Sequence, residues 1–195
     1  AIYWVHNCLN LYFQYIFKHG FKTRNGDVRP PKSFSTACQL VAVAFQCQSQ
    51  VQFGGVGTIH LDYDLAPFVR MSFSKHFKEG LKWVEHESEE YINHVPDSIG
   101  IEDEEAKYHT EAYKYAMEML EKEGSQSAQG LYHNLNTLES RQGSQVPFTS
   151  INLGRDTTPE GRMVTRWMLE ASIDGIGKFH LTSIFPISIF QYKVG

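Results

Sequence analysis

The run Asn134–Asp156, NLNTLESRQGSQVPFTSINLGRD, is the most informative stretch of this 195-residue chain for ligand chemistry. Its small polar side chains, its glycines Gly143 and Gly154 and its thin apolar stripe make poor core material. They make good strand ends and turns, which can present side chains and backbone N–H groups to a ligand. A plain polar loop ahead of a strand would have the same composition, and Arg141 could equally sit in a buried structural ion pair. His60-x-Asp62-x-Asp64 alternates metal-capable side chains, but with no third ligand type nearby it reads as a solvated strand end. Gly54-Gly55-Val56-Gly57 is not followed by the Gly-Lys-Ser/Thr of a phosphate loop. Arg24, Arg29 and Lys32 precede a helix start, where an anionic nucleotide could bind or a basic turn could simply meet solvent. Of the three thiols, Cys38 and Cys47 fall in an apolar helical pattern and read as packing residues; by composition alone Cys8 reads the same way.

The elements that must position these groups follow from patterning. Hydrophobic residues are 42% and charged residues 21%, the balance of a soluble globular chain, one domain or part of a larger one. A net charge of −4 gives no cationic surface for nucleic acid. No apolar run approaches the roughly 20 residues that span a bilayer, and the opening Ala1–Val5 has no basic leader. Three widely spaced cysteines without a CxxC pair suggest neither a disulfide framework nor zinc, and a reducing cytoplasm is the expected setting. Ala1–Leu9 reads as a buried strand, and Leu11–Lys18 as a short helix closed by Gly20. Asn25-Gly26-Asp27 is a tight-turn signal. After Pro30-Pro31, Ser33 or Ser35 caps a helix carrying Ala37, Leu40, Val41, Ala44 and Phe45. A helix is expected over Leu65–Val84 with Pro67 in its first turn, then an acidic irregular stretch, Glu85–Glu105. An amphipathic helix follows over Asp103–Glu123, then a polar linker, Gly124–Gly130. Leu131–Thr137 and Val146–Leu153 read as strands. Asp156-Thr157-Thr158-Pro159-Glu160 starts a helix ending near Gly175. The last strand candidate, Ser183–Tyr192, has Pro186 inside it. Strands alternating with helices predict an α/β fold with parallel pairing.

A colinear set of motifs goes further. His6-Asn7-Cys8-Leu9, Gly20-Phe21, Pro31-Lys32-Ser33, Gln52-Phe53-Gly54-Gly55 and Leu65-Ala66-Pro67-Phe68-Val69 come first. Ser140-Arg141-Gln142-Gly143-Ser144-Gln145-Val146-Pro147-Phe148-Thr149-Ser150 and Ile184-Phe185-Pro186-Ile187-Ser188-Ile189-Phe190 follow. Their order and rough spacing over nearly the whole chain closely resemble the anaerobic (class III) ribonucleotide reductases, which are glycyl-radical enzymes. The acidic stretch around Glu85–Glu105 is the least similar part and is expected to be an insertion-tolerant surface.

The resemblance implies a ten-stranded α/β barrel of two five-stranded parallel halves threaded by a finger loop, of which this chain would supply about the first half. It implies ribonucleoside triphosphates as substrates and deoxyribonucleoside triphosphates, for DNA synthesis, as products. A glycyl radical outside this chain, installed by a radical-SAM activase, would generate a thiyl on a finger-loop cysteine. That thiyl abstracts the ribose 3′ hydrogen, and the 2′ hydroxyl leaves as water. Cys8 matches the family's second cysteine, which faces the ribose from the first barrel strand, where a rigidly held thiol suits a reductive step. Asn134, Asn136, Ser140, Arg141 and Gln145 become candidates for contacts to the ribose, base or phosphates, and Arg29 and Lys32 for an effector nucleotide. Formate or a thioredoxin-type system is the implied reductant, and no metal is expected in this segment. The expected partners are the nucleotides, the activating enzyme and, at full length, a second copy in a homodimer; nucleic acid and membrane are not expected. The chain departs from the family in lacking a Met-Gly-Cys-Arg finger loop, an Arg-x-x-Gly-Tyr radical segment and the amino-terminal regulatory cone, and Tyr12 stands where an acidic residue is common. Both ends look cut, so a fragment is expected: inactive alone, with exposed strand edges that lower its solubility. The alternatives are another glycyl-radical enzyme of the pyruvate formate-lyase type and a non-catalytic barrel remnant.

Overall fold

Short apolar segments separated by long helical patterns become a mixed α/β fold in the computed structural model, which describes residues 7–23, 26–141 and 143–192. Four strands, β1 (Leu9–Leu11), β4 (Val56–Thr58), β5 (Thr149–Leu153) and β6 (Ile187–Phe190), form one sheet in the order β1-β4-β5-β6. Every pairing in it is parallel, as the alternation of strands and helices predicts. Between β1 and β4 lie α1 (Phe13–His19), a side hairpin of β2 (Phe21–Thr23) and β3 (Gly26–Val28), and α2 (Phe34–Ser49). Between β4 and β5 lie α3 (Leu61–Trp83), α4 (Glu89–His94), α5 (Glu104–Tyr108) and α6 (Thr110–Thr137); α7 (Pro159–Asp174) connects β5 to β6. Residues 1–6 of the expected first strand, Asn25 of the expected turn and Arg24 of the basic set lie outside the described residues.

Helix starts follow their capping signals. Ser33 and Thr36 form a reciprocal capping box on α2, and Thr158 caps α7 by accepting from Gly161 N at 3.2 Å. Three expectations need correction. First, α3 begins at Leu61, so His60 is its N-cap residue and Asp62 and Asp64 lie in its first turn, both buried, rather than on a strand face. Acidic residues there suit the positive end of the helix dipole. Second, α6 does not stop at Glu123: it runs on through Gly124–Gly130, read as a linker, and Leu131–Thr137, read as a strand. Its buried face, Ala112, Ala116, Leu120, Gly124, Ala128, Leu131 and Leu135, keeps three- and four-residue spacing to the end. Third, the Glu85–Glu105 stretch carries the short helix α4, and the helix expected from Asp103 is split near His109 into α5 and α6.

The core lies between one face of the sheet and α2, α3, α6 and α7, around Phe13, Phe34, Phe45, Phe73, Phe77 and Trp167. A polar knot ties three of these helices together. Glu123 of α6 accepts from Ser35 N at the start of α2 (3.1 Å) and from Ser72 Oγ of α3 (2.9 Å), and sits 2.8 Å from His76 Nε2. The hydrogen bond to Glu123, outweighing burial and helped by Glu79, raises the His76 pKa above 6.5. Burial alone would raise Glu123, but bonds from His76, Ser35 and Ser72 bring it below 4.5. Cys38 is buried, as expected, and burial followed by the Glu123 charge pushes its thiol far above the usual range. Cys47, expected to pack, is instead exposed, because the buried stripe of α2 passes through Phe45 and Ser49 and leaves it outside. No helix among the described residues is long and apolar enough to cross a membrane.

Candidate ligand face of the parallel sheet

Alternation along β5 sends Thr149, Ile151 and Leu153 into the core and leaves Ser150 and Asn152 on the opposite face. The register sets Asn10, Gly57, Ser150 and Ile187 in one row across the sheet, with Asn152 beside Ile189 in the next. Gly57 lacks the side chain that would fill this row: a Cβ there would lie 2.6 Å from both Asn10 Oδ1 and Ser150 Oγ. Two hydrogen-bonding side chains therefore close over a bare stretch of backbone. Two residues before Asn10 stands Cys8, which is exposed and lies in the bend entering β1 rather than on the strand expected to carry it, since β1 begins at Leu9. A Cβ on Gly54 would fall 1.9 Å from Asn7 O and 2.6 Å from Cys8 Sγ, so the loop entering β4 runs directly against the thiol.

That loop is clamped from the other side. Arg141 donates through Nη1 to Gly54 O at 2.9 Å and through Nη2 to Phe53 O, and its guanidinium lies 4.3 Å from the centre of the Phe148 ring. Arg141 N donates to Gln145 O (3.0 Å), Ser140 Oγ meets Ser49 Oγ (3.0 Å), and Gln52 Nε2 donates to Gly55 O (2.8 Å). The Ser140–Gln145 turn thus comes beside Cys8 through Gly54, as a frame. Among the described residues Arg141 makes no ion pair; each of its terminal nitrogens donates instead to a backbone carbonyl. Gln142 lies outside the described residues.

Asn134 and Asn136 are on α6, not on a strand. Asn136 is fully engaged: its Oδ1 accepts from Ile184 N (2.9 Å) and Phe185 N (3.0 Å), and its Nδ2 donates to Tyr132 O (2.7 Å) and Phe185 O. It secures the segment that enters β6. Asn134 lines a cavity of about 360 Å³ behind the core helices with Ser35, Cys38, His76 and Glu123. Arg29 and Lys32 are exposed between β3 and α2, where Lys32 borders a groove with Lys75, Lys78 and Lys82 of α3. The structure therefore gathers Cys8, Ser140, Arg141 and Gln145 at one end of the sheet and leaves Asn134, Asn136, Arg29 and Lys32 elsewhere.

At the carboxyl ends of the strands, Asp62 reaches across to the turn after β5. Its Oδ2 accepts from Gly154 N (3.0 Å) and Asp156 N (2.8 Å). His60 Nδ1 is 3.1 Å from Asp64 Oδ1, close enough to pair but poorly aligned for a hydrogen bond, so both Asp64 oxygens stay buried without a donor. Burial raises Asp64 to about 6, with His60 opposing and Asp62 adding to the rise. Among the described residues the side chains that converge as a metal-capable trio are Glu85, Glu87 and His109, at the start of α6. Glu85 and His109 there are already bound to each other, to Ala112 N and to Tyr91 Oη.

Asn10 and Asn152 were not singled out from sequence as site residues, though the two-residue spacing along β1 and β5 could have reached them. Asp62 was weighed only as a metal ligand, because its partners at Gly154 and Asp156 lie more than ninety residues away.

A family model described as anaerobic ribonucleoside-triphosphate reductase matches residues 1–195. Curated anaerobic ribonucleoside-triphosphate reductases of Haemophilus influenzae and Escherichia coli K12 are each 31% identical over 190 residues, covering 97% of this chain and 23% of the relative. That of Enterobacteria phage T4 is 27% identical over 189 residues, 97% of this chain and 27% of the relative. The chain thus spans about a quarter of the length of the curated relatives it matches.

Proposed function

The chain belongs to the anaerobic ribonucleoside-triphosphate reductase family, and from that premise we propose that it forms part of the substrate-facing wall of such a reductase's catalytic barrel. The observation that carries the proposal is the uncovered sheet face: an exposed thiol, Cys8, in line with Asn10 and flanked by Gly57, Ser150 and Asn152. Parallel strands with helices packed on one side alone are what a barrel segment requires, its open face turning inward. Asn10 and Ser150, whose side chains close over the Gly57 backbone, offer donors and acceptors to ribose hydroxyls. Cys8 supplies the thiol that takes part in the reduction, held by the Gly54 loop and its Arg141 clamp. A glycyl radical installed elsewhere by a radical-SAM activating enzyme supplies the one-electron chemistry, with formate or a thioredoxin-type dithiol as the final reductant. A second role, binding an anionic effector nucleotide, falls to Arg29 and Lys32, because Lys75, Lys78 and Lys82 in the groove beside Lys32 are already paired with Glu79, Asp97 and Glu89. In the same reading the full-length enzyme is a cytoplasmic homodimer.

The test is Cys8→Ser in the full-length reductase, activated under anoxia. Glycyl radical, read by electron paramagnetic resonance, should form at the wild-type level while deoxynucleotide production disappears. Production near wild type would remove Cys8 from the chemistry. Protection from heat by acyl or diol compounds but not by ribonucleoside triphosphates would point to a pyruvate formate-lyase type of enzyme instead.

A further inference from the structure

A ribonucleoside triphosphate brings several negative charges to the open face, yet the side chains on that face, Cys8, Asn10, Ser150, Asn152, Ile187 and Ile189, include no cation. In parallel α/β sheets the polar ends of ligands lie at the carboxyl ends of the strands. In the turns leaving the carboxyl ends of β1, β4, β5 and β6, Arg155 is the one permanently charged cation among the described residues. It is exposed and makes no hydrogen bond or close ion pair with any described residue, its charge acting only at longer range on buried Asp64, whereas Arg70 and Arg166 are paired with Glu160 and Glu121. Arg141 lies at the opposite end, where both its terminal nitrogens hold the Phe53 and Gly54 carbonyls.

The backbone that carries Arg155 is fixed on both sides. Gly154 N and Asp156 N converge on one oxygen of Asp62, and Gly154 adopts a left-handed conformation (φ +90°) that favours glycine. Asp62 has no exposed surface, its second oxygen has no donor, and no cation pairs with it among the described residues. Burying a carboxylate this way is costly, and a well-packed apolar residue would serve stability as well or better. The carboxylate is therefore explained by what it holds. Asp156 in turn accepts from Thr158 N (2.8 Å), which passes the constraint on to the start of α7.

We propose that Asp62 is a positioning residue: by pinning Gly154 and Asp156 it presents Arg155 to the triphosphate of the ribonucleotide received by the open face. The inference rests on the reductase reading and adds the anion contact to it. A preorganised guanidinium loses less freedom on binding phosphate than one on a free loop, so Asp62 and Arg155 should act as one unit.

The experiment uses the full-length reductase and equilibrium binding of a ribonucleoside triphosphate and of the same ribonucleoside without phosphates. Arg155→Ala should weaken triphosphate binding by about tenfold, the loss of one charge-assisted contact, and leave nucleoside binding unchanged. Asp62→Ala should reproduce that selective loss, Asp62→Asn, which keeps an acceptor for both amides, should restore most of it, and the double variant should be no weaker than either single one. Unchanged triphosphate binding in Arg155→Ala overturns the proposal, whether or not the Asp62 variants fold. So does a lower melting temperature in Asp62→Ala with wild-type discrimination between triphosphate and nucleoside, or losses that multiply in the double variant. Turnover by the wild type and its absence in Cys8→Ser judge the underlying reading separately.

Discussion

Replacing Gly124 by alanine should destabilise the protein, and the same change six residues along the helix, at Gly130, should stabilise it. Both glycines lie inside α6, where alanine is favoured over glycine by about 1 kcal/mol. At exposed Gly130 a Cβ meets nothing within 4 Å, so most of that gain should appear. At Gly124 the Cβ would land 2.3 Å from Trp167 Cε2 and within 2.5 Å of two further indole atoms, where carbon–carbon contact needs about 3.5–4 Å. The indole cannot easily give way. Trp167 is 1% exposed, its Nε1 donates to Glu121 Oε1 at 3.0 Å, and Phe34 lies 5.1 Å away ring to ring. Overpacking of this kind costs roughly 1–3 kcal/mol, and an overlap beyond 1 Å belongs at the upper end. Subtracting the helix gain leaves Gly124→Ala about 2 kcal/mol less stable. With a urea slope near 2 kcal/mol/M the midpoint should fall by about 1 M, and that of Gly130→Ala should rise by up to about 0.5 M. A Gly124→Ala variant as stable as the wild type would refute the α6–α7 contact. A destabilised Gly130→Ala would refute the helix itself and restore the linker.

Two further predictions concern charge. Because His76 is raised above 6.5, its stabilising contribution is complete below that pH and is lost as pH rises through the folded value; denaturation followed across neutral pH should lose this dependence in His76→Gln. Asp64, raised to about 6 by burial, acts in a lower window: stability should fall as pH rises from 3.8 to about 6, and Asp64→Asn should abolish that limb. Arg141→Lys retains the charge but not the two-carbonyl fork or the stacking on Phe148, and should cost about 1–2 kcal/mol in urea unfolding. It should also speed modification of Cys8 by a neutral thiol reagent, since the Gly54 loop rests on that sulfur; an unchanged rate would show that Arg141 does not frame Cys8.

What the sequence made legible is what depends on near neighbours. Ser33, Thr158 and Pro159 announce helix starts within four residues, and the structure starts α2 and α7 there. The parallel sheet followed from alternation alone, and the family from motif order. What escaped depends on contacts between distant segments. Gly124 looks like a helix breaker until Trp167, 43 positions on, explains why no side chain fits. Asn136 and Arg141 looked like free polar groups because an amide and a guanidinium read alike whether their partner is a ligand or a backbone carbonyl 49 or 87 residues away. His60-x-Asp62-x-Asp64 has the two-residue spacing of a strand, but those residues form the cap and first turn of α3, where the same spacing turns Asp62 toward β5 and Asp64 toward His60. The groups left over, Cys8, Asn10, Ser150 and Arg155, make no side-chain hydrogen bond with a described residue, and unspent binding capacity on a rigid sheet is the stronger sign of a site.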